Sequence, residues 1–532
     1  MKLPIAVTLL LPLVSSETVL ENPQECIVPA DYNADTDFFP EKFVPHETTD
    51  FITVTYHKSY KIVTNKFQDK SYLLYQCGTE PPADEVDSGK HHLVLPVPHT
   101  AGIAITQTTQ IPPMELLAKR SAIDAYIGNP ALVSSPCLNH LMDEETVQLI
   151  HFPDDPYNST LTDQGAADYL AENPDAIVFT GLTGNKDAEG YMAIAASQER
   201  TAVATFDWLG MYAALFNLEG MVNQIIADTE SRYKCSAENA AALTADIKQE
   251  DKHKILWANY IGGTGWSMSS CPTWDTAYYC EYAQHCGAEI INRPEGMGFS
   301  KQYGSPTVYW YVTDEEFLEL GKDAETWIYT GQTFDSVYED KKETLDQFKS
   351  VQNKKVYDIQ GQGPHGWFEQ RLAEYDVVAL DMCTLVGTGN PDSMHQNRWF
   401  RNCFDEAIGS SGSCDIPNEL DLAYVPAQAV CTPIKAADVS NAVDDSNAVI
   451  EIDSDAADDS NAVVDSNAVV DSDEADDSNA VVDWDAADDS NVVVDSDAVV
   501  DSDEADDSNA VVDSDEADDS NAVVDSDAGR GR

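Results

Sequence analysis

The chain has 532 residues, with 30 Lys and Arg against 94 Asp and Glu and a formal net charge of −64 at pH 7. So large an acidic excess excludes nucleic acid and anionic membrane surfaces as partners, because like charges repel. The length allows one large or two moderate cores. Much of the charge has a local source in residues 436–532, where Asp-Asp-Ser-Asn-Ala-Val-Val-Asp recurs with variations.

Residues 1–16 read as a secretory signal: Lys2 supplies the positive end, Ile5 to Val14 the apolar stretch and Val14-Ser15-Ser16 the small-residue cleavage pattern. A membrane anchor is the alternative, but the apolar run is about ten residues against the roughly twenty of a spanning helix. Later segments are too short or too polar to cross a bilayer, and Gly529-Arg530-Gly531-Arg532 lacks the tail of a lipid-anchor signal. The expected location is extracellular, secreted or at the cell surface, with transport left to a membrane transporter or receptor.

Eleven cysteines in an exported chain imply disulfides, and the odd count leaves at least one thiol over. Cys271, Cys280 and Cys286 lie close enough for a local staple, as do Cys403, Cys414 and Cys431, and Cys26 with Cys77 would pin an amino-terminal extension. A Cys-x-x-Cys pair is lacking, which argues against a zinc ribbon or redox centre. Asn158-Ser159-Thr160 is a glycosylation acceptor triplet.

Within residues 17–92, Phe51 to Tyr56, Tyr60 to Thr64 and Ser71 to Gln76 are rich in β-branched and aromatic residues, predicting a small antiparallel meander as a lead-in module. Over residues 93–208, short apolar runs alternate with helical patterns, the signature of a parallel sheet. The predicted strands are Leu93 to Val97 or Gly102 to Ile105, then Ala125 to Ile127, Ala176 to Phe179 and Ala202 to Phe206, with helices at Pro113 to Arg120 and Asp163 to Asn173. Asn173-Pro174 stops the second helix, since proline cannot continue it.

From Leu209 to about Lys248 helical spacing puts Leu215, Leu218, Val222, Ile225, Ile226, Thr229 and Tyr233 on one face. Unbroken, about 40 residues would span about 60 Å, long enough to link two lobes across residues 209–250; two consecutive packed helices are the alternative, left open by Gly220. A second α/β series fills residues 251–385, with strands at Lys254 to Tyr260, Ala288 to Ile291, Thr326 to Tyr329 and Lys355 to Ile359, and helices at Thr276 to Cys286 and Asp314 to Leu320. A Cys-containing segment, residues 386–435, closes the folded part.

Several phrases carry a family resemblance: Thr106-Gln107-Thr108-Thr109-Gln110 after the first lobe strand, Glu172-Asn173-Pro174-Asp175-Ala176-Ile177-Val178 before a later one, Trp208 at the mouth of the long helix, Lys322 to Tyr329, and Gln352 to Tyr357. On these, residues 51–385 resemble the helix-linked (class III) periplasmic binding proteins of the vitamin B12 and ferric siderophore type. The resemblance implies an α/β fold of two Rossmann-like lobes joined by a long spine helix, a ligand cleft between the lobes, and no enzymatic activity. Thr109 to Leu117 and Ser134-Ser135-Pro136-Cys137-Leu138, with the signal and the glycosylation triplet, look like the cobalamin acquisition proteins of algae. The acidic repeats depart from that pattern.

In such a fold the loops facing the cleft offer Gln107, Thr108, Thr109, Gln110, Asn129, Ser135, Phe206 and Trp208 from the first lobe and Trp266, Trp274, Tyr309, Gln332, His365, Trp367 and Phe368 from the second. Aromatic walls and amide side chains suit a corrin ring edged with neutral amides, since apolar faces gain by burial and desolvated amides require partners. An anionic ferric chelate would call for clustered basic residues, and only Lys301 and Arg371 stand nearby. The expected function is therefore capture of cobalamin as a bound ligand, with no cofactor, catalytic residue or metal site. A ferric siderophore-binding protein, or an adhesion protein acting through the tail, are the alternatives. Large aromatics also pack as ordinary core, and any of these side chains has that second reading.

His365 either approaches a corrinoid metal or bonds a loop carbonyl; a lone histidine has no coordination spacing. Gly265-Trp266-Ser267-Met268-Ser269 is like a nucleophile elbow but ends in Ser, with no marked acid or base partner. Gly262-Gly263-Thr264-Gly265 lacks the Lys-Ser/Thr of a phosphate loop. The repeats, with too little apolar surface to offset chain entropy, are expected to be disordered, as solvated spacer or as a Ca²⁺-dependent contact.

Overall fold

The computed structural model describes residues 21–434, apart from 157, 182–183, 185–186, 263, 270, 274, 276, 295–296, 303–307, 390–394 and 416–417. The signal segment, Trp274 and the acidic repeats lie outside the described residues. Contacts divide the chain into two units, and every described residue belongs to one of them.

The lead-in module is a four-stranded sheet of Ile52–Tyr56, Tyr60–Asn65, Lys70–Gln76 and Leu93–Val97. The first three strands form the expected meander; the fourth joins in parallel, Tyr72 opposite Leu93. Leu93–Val97 therefore belongs to this module, and the first lobe strand is Ile103–Ile105.

This sheet rests on the spine through a buried polar network. Lys61 and Glu219, both fully buried, form an ion pair, with Asn217 Oδ1 2.8 Å from the Lys61 ammonium and Asn22 donating to Glu219 at 2.7 Å. Burial holds the Lys61 ammonium below its ordinary range. A disulfide, Cys26–Cys77, ties the amino-terminal strand-free segment to the same sheet.

The first-lobe sheet has five parallel strands in the spatial order Gln148–Ile150, Ile123–Ile127, Ile103–Ile105, Ile177–Thr180, Tyr191–Ala193. Side chains alternate across it: Ile103 and Ile105 face one core, Ala104 the other, as a sheet covered on both faces requires. The second-lobe sheet has parallel Glu289–Ile290, Lys254–Ile261, Thr326–Tyr329 and Val356–Asp358. Antiparallel Gly265–Ser269, Val308–Val312 and Phe299–Gln302 extend one side, and Arg401–Asn402 closes the other. The fold is thus α/β with two doubly wound lobes joined by a helical link.

Two expectations change. Ala202–Phe206 is a helix, capped by Thr201, whose hydroxyl accepts from Ala204 N at 3.1 Å; a five-residue apolar run fits a buried helix as well as a strand, and the strand of this lobe is Tyr191–Ala193. The link is two helices, Leu209–Phe216 and Glu219–Leu243, broken at Asn217 in the left-handed region, φ 59°. The helix Tyr375–Val386 packs against Glu219–Leu243.

The carboxyl-terminal segment returns across the fold. Tyr424 N donates to Glu115 O, Tyr424 OH to Glu374 at 2.7 Å, and Ala429 N to Asp376 at 3.2 Å. Cys137–Cys414 and Cys235–Cys431 bind it to the first lobe and to the spine. Of the cysteine groupings, Cys26–Cys77 and Cys271–Cys280 pair within their groups, whereas Cys286 joins Cys383 and Cys403 is a buried free thiol.

Candidate functional site

In the first-lobe sheet the chain order reverses between Ile103–Ile105 and Ile177–Thr180, and ligands of open α/β sheets bind beyond the carboxyl ends of strands at such a point. There the turn Thr108–Gln110 follows the first of these strands. Gln110 holds it: its Oε1 accepts from Thr106 N at 3.0 Å and Gln107 N at 3.3 Å. Gln110 is therefore turned inward and fully buried, leaving Gln107 and Thr109 at the surface of the turn. Gly181 follows the other strand, and a Cβ there would stand 2.1 Å from Gln107 Nε2, so glycine is what lets the Gln107 side chain lie across the sheet edge.

A pocket opens at this point. Its walls are Gln107, Thr109, Pro112, Pro113 and Leu116 from the turn and the helix Ile111–Leu116; Ile194, Ala196 and Ser197 beyond the strand Tyr191–Ala193; Thr205, Phe206, Trp208, Leu209 and Tyr212 where one helix ends and the next begins; and Leu372 and Ala373 of the second lobe. It measures about 500 Å³ with its mouth included, but only about 30 Å³ of that admits the centre of a water-sized sphere, room for about two waters. No lining residue carries a charge.

Trp208 lines this pocket with its indole fixed from behind. Its Nε1 donates to Glu199 Oε1 at 3.1 Å, and Glu199 also accepts from Asp50 N and Phe51 N at 3.0 and 2.9 Å. Asp207 accepts from Thr49 Oγ1 at 2.7 Å and from His46 N. Burial raises the pKa of both carboxyls. The loop at residues 46–51 of the lead-in module thus sets the pocket wall.

Of the residues predicted from sequence, the structure brings Gln107, Thr109, Phe206 and Trp208 together in the pocket, with Thr108 and Gln110 in the supporting turn. Asn129 caps the turn Pro130–Leu132, accepting from Ala131 N at 3.1 Å. Ser135 is buried, caps Pro136–Asp143 and donates to Glu115 Oε1 at 2.6 Å.

The second-lobe residues are placed elsewhere. Trp266 is fully buried inside its lobe, stacked on Phe317 with ring centroids 3.9 Å apart and donating to Asp314 at 2.7 Å. Trp367 is buried among Trp257, Trp399 and Phe400, and Phe368 packs half-buried against the same core. Gln332 donates to Pro364 O at 2.7 Å. His365 precedes the helix Gly366–Glu369, and burial lowers its pKa. The Arg371 guanidinium lies over the rings of Tyr278 and Trp367 at 4.6 and 5.1 Å and donates to Trp367 O. The Tyr309 and Lys301 side chains lie outside the described residues.

Sequence reasoning missed Ile194, Ser197, Leu372 and Ala373. The first two follow the strand Tyr191–Ala193, and recognising that strand would have flagged them as strand-end positions; the last two sit in a turn, Arg371–Glu374, that no periodicity marks. Asn158 is half-buried and caps Ser159–Glu172, accepting from Thr160 N at 3.0 Å and Leu161 N at 3.2 Å. Among the described residues the sole cluster with metal-ligand spacing, Cys137, Cys414 and Glu419, contains a disulfide and so offers no thiolate. No described helix is long and apolar enough to cross a membrane.

No family model and no curated protein matches the chain. Among solved structures it is similar to a possible iron-binding periplasmic solute-binding protein of Staphylococcus epidermidis, at 10% identity over 54% of this chain and 99% of that one, TM-score 0.37. It is similar also to a periplasmic heme-binding protein of Pseudomonas aeruginosa, at 12% identity over 55% and 95%, TM-score 0.38. A Staphylococcus aureus protein solved with bound ferrioxamine B matches at 12% identity over 55% and 100%, TM-score 0.36. At these values the likeness assigns no ligand to this chain.

Proposed function

We propose that the chain is an extracellular solute-binding protein, not an enzyme, which captures a bulky uncharged ligand, cobalamin, and passes it to a membrane transporter or receptor. One observation carries this reading: a pocket at the topological switch point, walled by residues of both lobes, whose lining bears no charge and is apolar apart from Gln107, Thr109, Ser197, Thr205 and the phenol of Tyr212. Apolar faces gain about 25 cal/mol per Å² on burial, and the amide and hydroxyls can pair the polar rim of a neutral ring. An anionic chelate would lose hydration here without gaining a cation, since Arg371 is held on the Tyr278 and Trp367 rings.

With room for about two waters, the pocket admits a ring only when its two walls part. Isothermal titration of the secreted protein with cyanocobalamin should show saturable binding. Absence of both heat and a thermal shift at high ligand concentration would remove the proposal, and tighter binding of ferrioxamine B would transfer it to ferric chelates.

A further inference from the structure

We infer that Glu281 and Glu369 of the second lobe form a proton-operated clasp on the first lobe, shut when the two carboxyls are protonated and loosened as they ionise. That this clasp sets the opening of the pocket rests on the ligand-binding reading above.

Both points share one contact, a carboxyl oxygen of the second lobe accepting from a backbone N–H of the first. Glu281, on the helix Tyr278–His285, accepts from Ala202 N at 2.6 Å through Oε2 and from Tyr233 OH of the spine at 2.9 Å through Oε1. Ala202 opens the helix Ala202–Phe206, whose Thr205 and Phe206 line the pocket. Glu369, closing the helix Gly366–Glu369, accepts from Ser134 N at 2.7 Å through Oε2. The next turn, Arg371–Glu374, contributes Leu372 and Ala373, the second-lobe wall of the pocket. Each carboxyl thus reaches across to a backbone N–H of the first lobe at a point adjoining a pocket wall.

Both groups are shut away from water, Glu281 7% exposed and Glu369 fully buried. Among the described residues no Lys, Arg or His pairs with either, and Glu369 Oε1 makes no hydrogen bond. The groups facing Glu369 are the Ser134 hydroxyl, the Tyr126 phenol and the Glu115 carboxylate, whose own ion pair is with Arg120 at 2.8 Å. Those facing Glu281 are the phenols of Tyr233, Tyr282 and Tyr375, with Arg371, Tyr278 and Asp376 also acting on Tyr282 and Asp376 paired to Arg232. The His285 ring beside Tyr233 is kept neutral by burial.

Burial without a cation pushes Glu281 up to about 7 and Glu369 up to about 8, from an ordinary value of 4.5. The shut arrangement therefore holds protons that a water-exposed carboxyl releases. Opening is least favourable in acid, grows easier as pH rises above about 4.5, and levels off above about 7 for Glu281 and about 8 for Glu369.

Hydrogen exchange of the intact, ligand-free protein tests this from about pH 5.5 to about pH 9, wild type against the double variant Glu281→Gln/Glu369→Gln. Gln is neutral throughout and keeps a carbonyl for the N–H. Relative to the double variant at each pH, opening at Ala202 and Ser134 in the wild type should rise by up to about tenfold per pH unit and then level off. A wild-type-to-variant ratio that does not change with pH overturns the clasp. Each single variant should remove only its own step, so the test survives a double variant that fails to fold.

A second arm measures cyanocobalamin affinity over the same series, with affinity expected to rise with pH in the wild type alone. Binding with a pH-independent affinity overturns the link to the pocket. A pH-dependent exchange ratio without any cobalamin binding upholds the clasp and overturns the ligand reading instead.

Discussion

The first-lobe sheet is packed on one face mainly by small and aliphatic residues, Ala104, Ala125, Ile127, Ala166 and Val178, with Tyr169 and Tyr191, whereas a face of the second-lobe sheet is packed by Trp266, Phe317, Trp327, Phe334 and Phe348. In the second lobe these rings stack on one another, Trp266 on Phe317 and Trp327 on Phe348 at centroid distances of 3.9 and 5.5 Å. The first lobe's single tryptophan, Trp208, lies in the pocket wall. Aromatic density in a sequence therefore locates a core as readily as a binding surface, because a large ring gains by burial in either. What separates the two uses is the polar atom: Trp266 Nε1 finds Asp314 within its own lobe, while Trp208 Nε1 finds Glu199, whose other partners come from the lead-in module.

Three substitutions bear on that contrast. Trp266→Ala should be the most damaging, at about 3–5 kcal/mol for a large core aromatic, seen as a lower urea midpoint; an unchanged midpoint with lost cobalamin binding would return Trp266 to the ligand surface. Trp208→Phe keeps a ring in the pocket but takes the donor from Glu199, costing about 1–3 kcal/mol for a buried acceptor left short. It should also weaken cyanocobalamin binding in titration, and wild-type affinity in this variant would separate Trp208 from the ligand. Smallest, Thr313→Ala removes the capping box on Asp314–Gly321, in which Thr313 Oγ1 and Glu316 exchange bonds with backbone N–H groups. About 1 kcal/mol should be lost by urea denaturation, with ligand affinity unmoved.

Local chemistry wrote much of the fold into the sequence. The meander, the Asn173 stop, the Thr326–Tyr329 strand and the Thr108–Gln110 turn after a strand are all dictated by side-chain branching, proline geometry or capping, which act over a few residues. Of the predicted site residues that line the pocket, Gln107 and Thr109 were legible for the same reason, since they follow a strand that patterning reveals, whereas Phe206 and Trp208 were flagged beside a run read as a strand that is a helix.

The helix at Ala202–Phe206 was not legible, because five apolar residues satisfy a buried helix and a buried strand alike, and the neighbouring strand Tyr191–Ala193 is too short for its period to show. Nor was the break at Asn217, whose left-handed backbone is held by partners far along the chain, Pro23 O at 2.7 Å and Gln76 Oε1 at 2.9 Å. By itself the sequence determined an α/β chain with two series of strands, a helical link and an acidic terminus. Only the tertiary structure decided which aromatics became core, which carboxyls crossed between the lobes and which cysteines met, since each of these depends on groups brought together from distant parts of the chain.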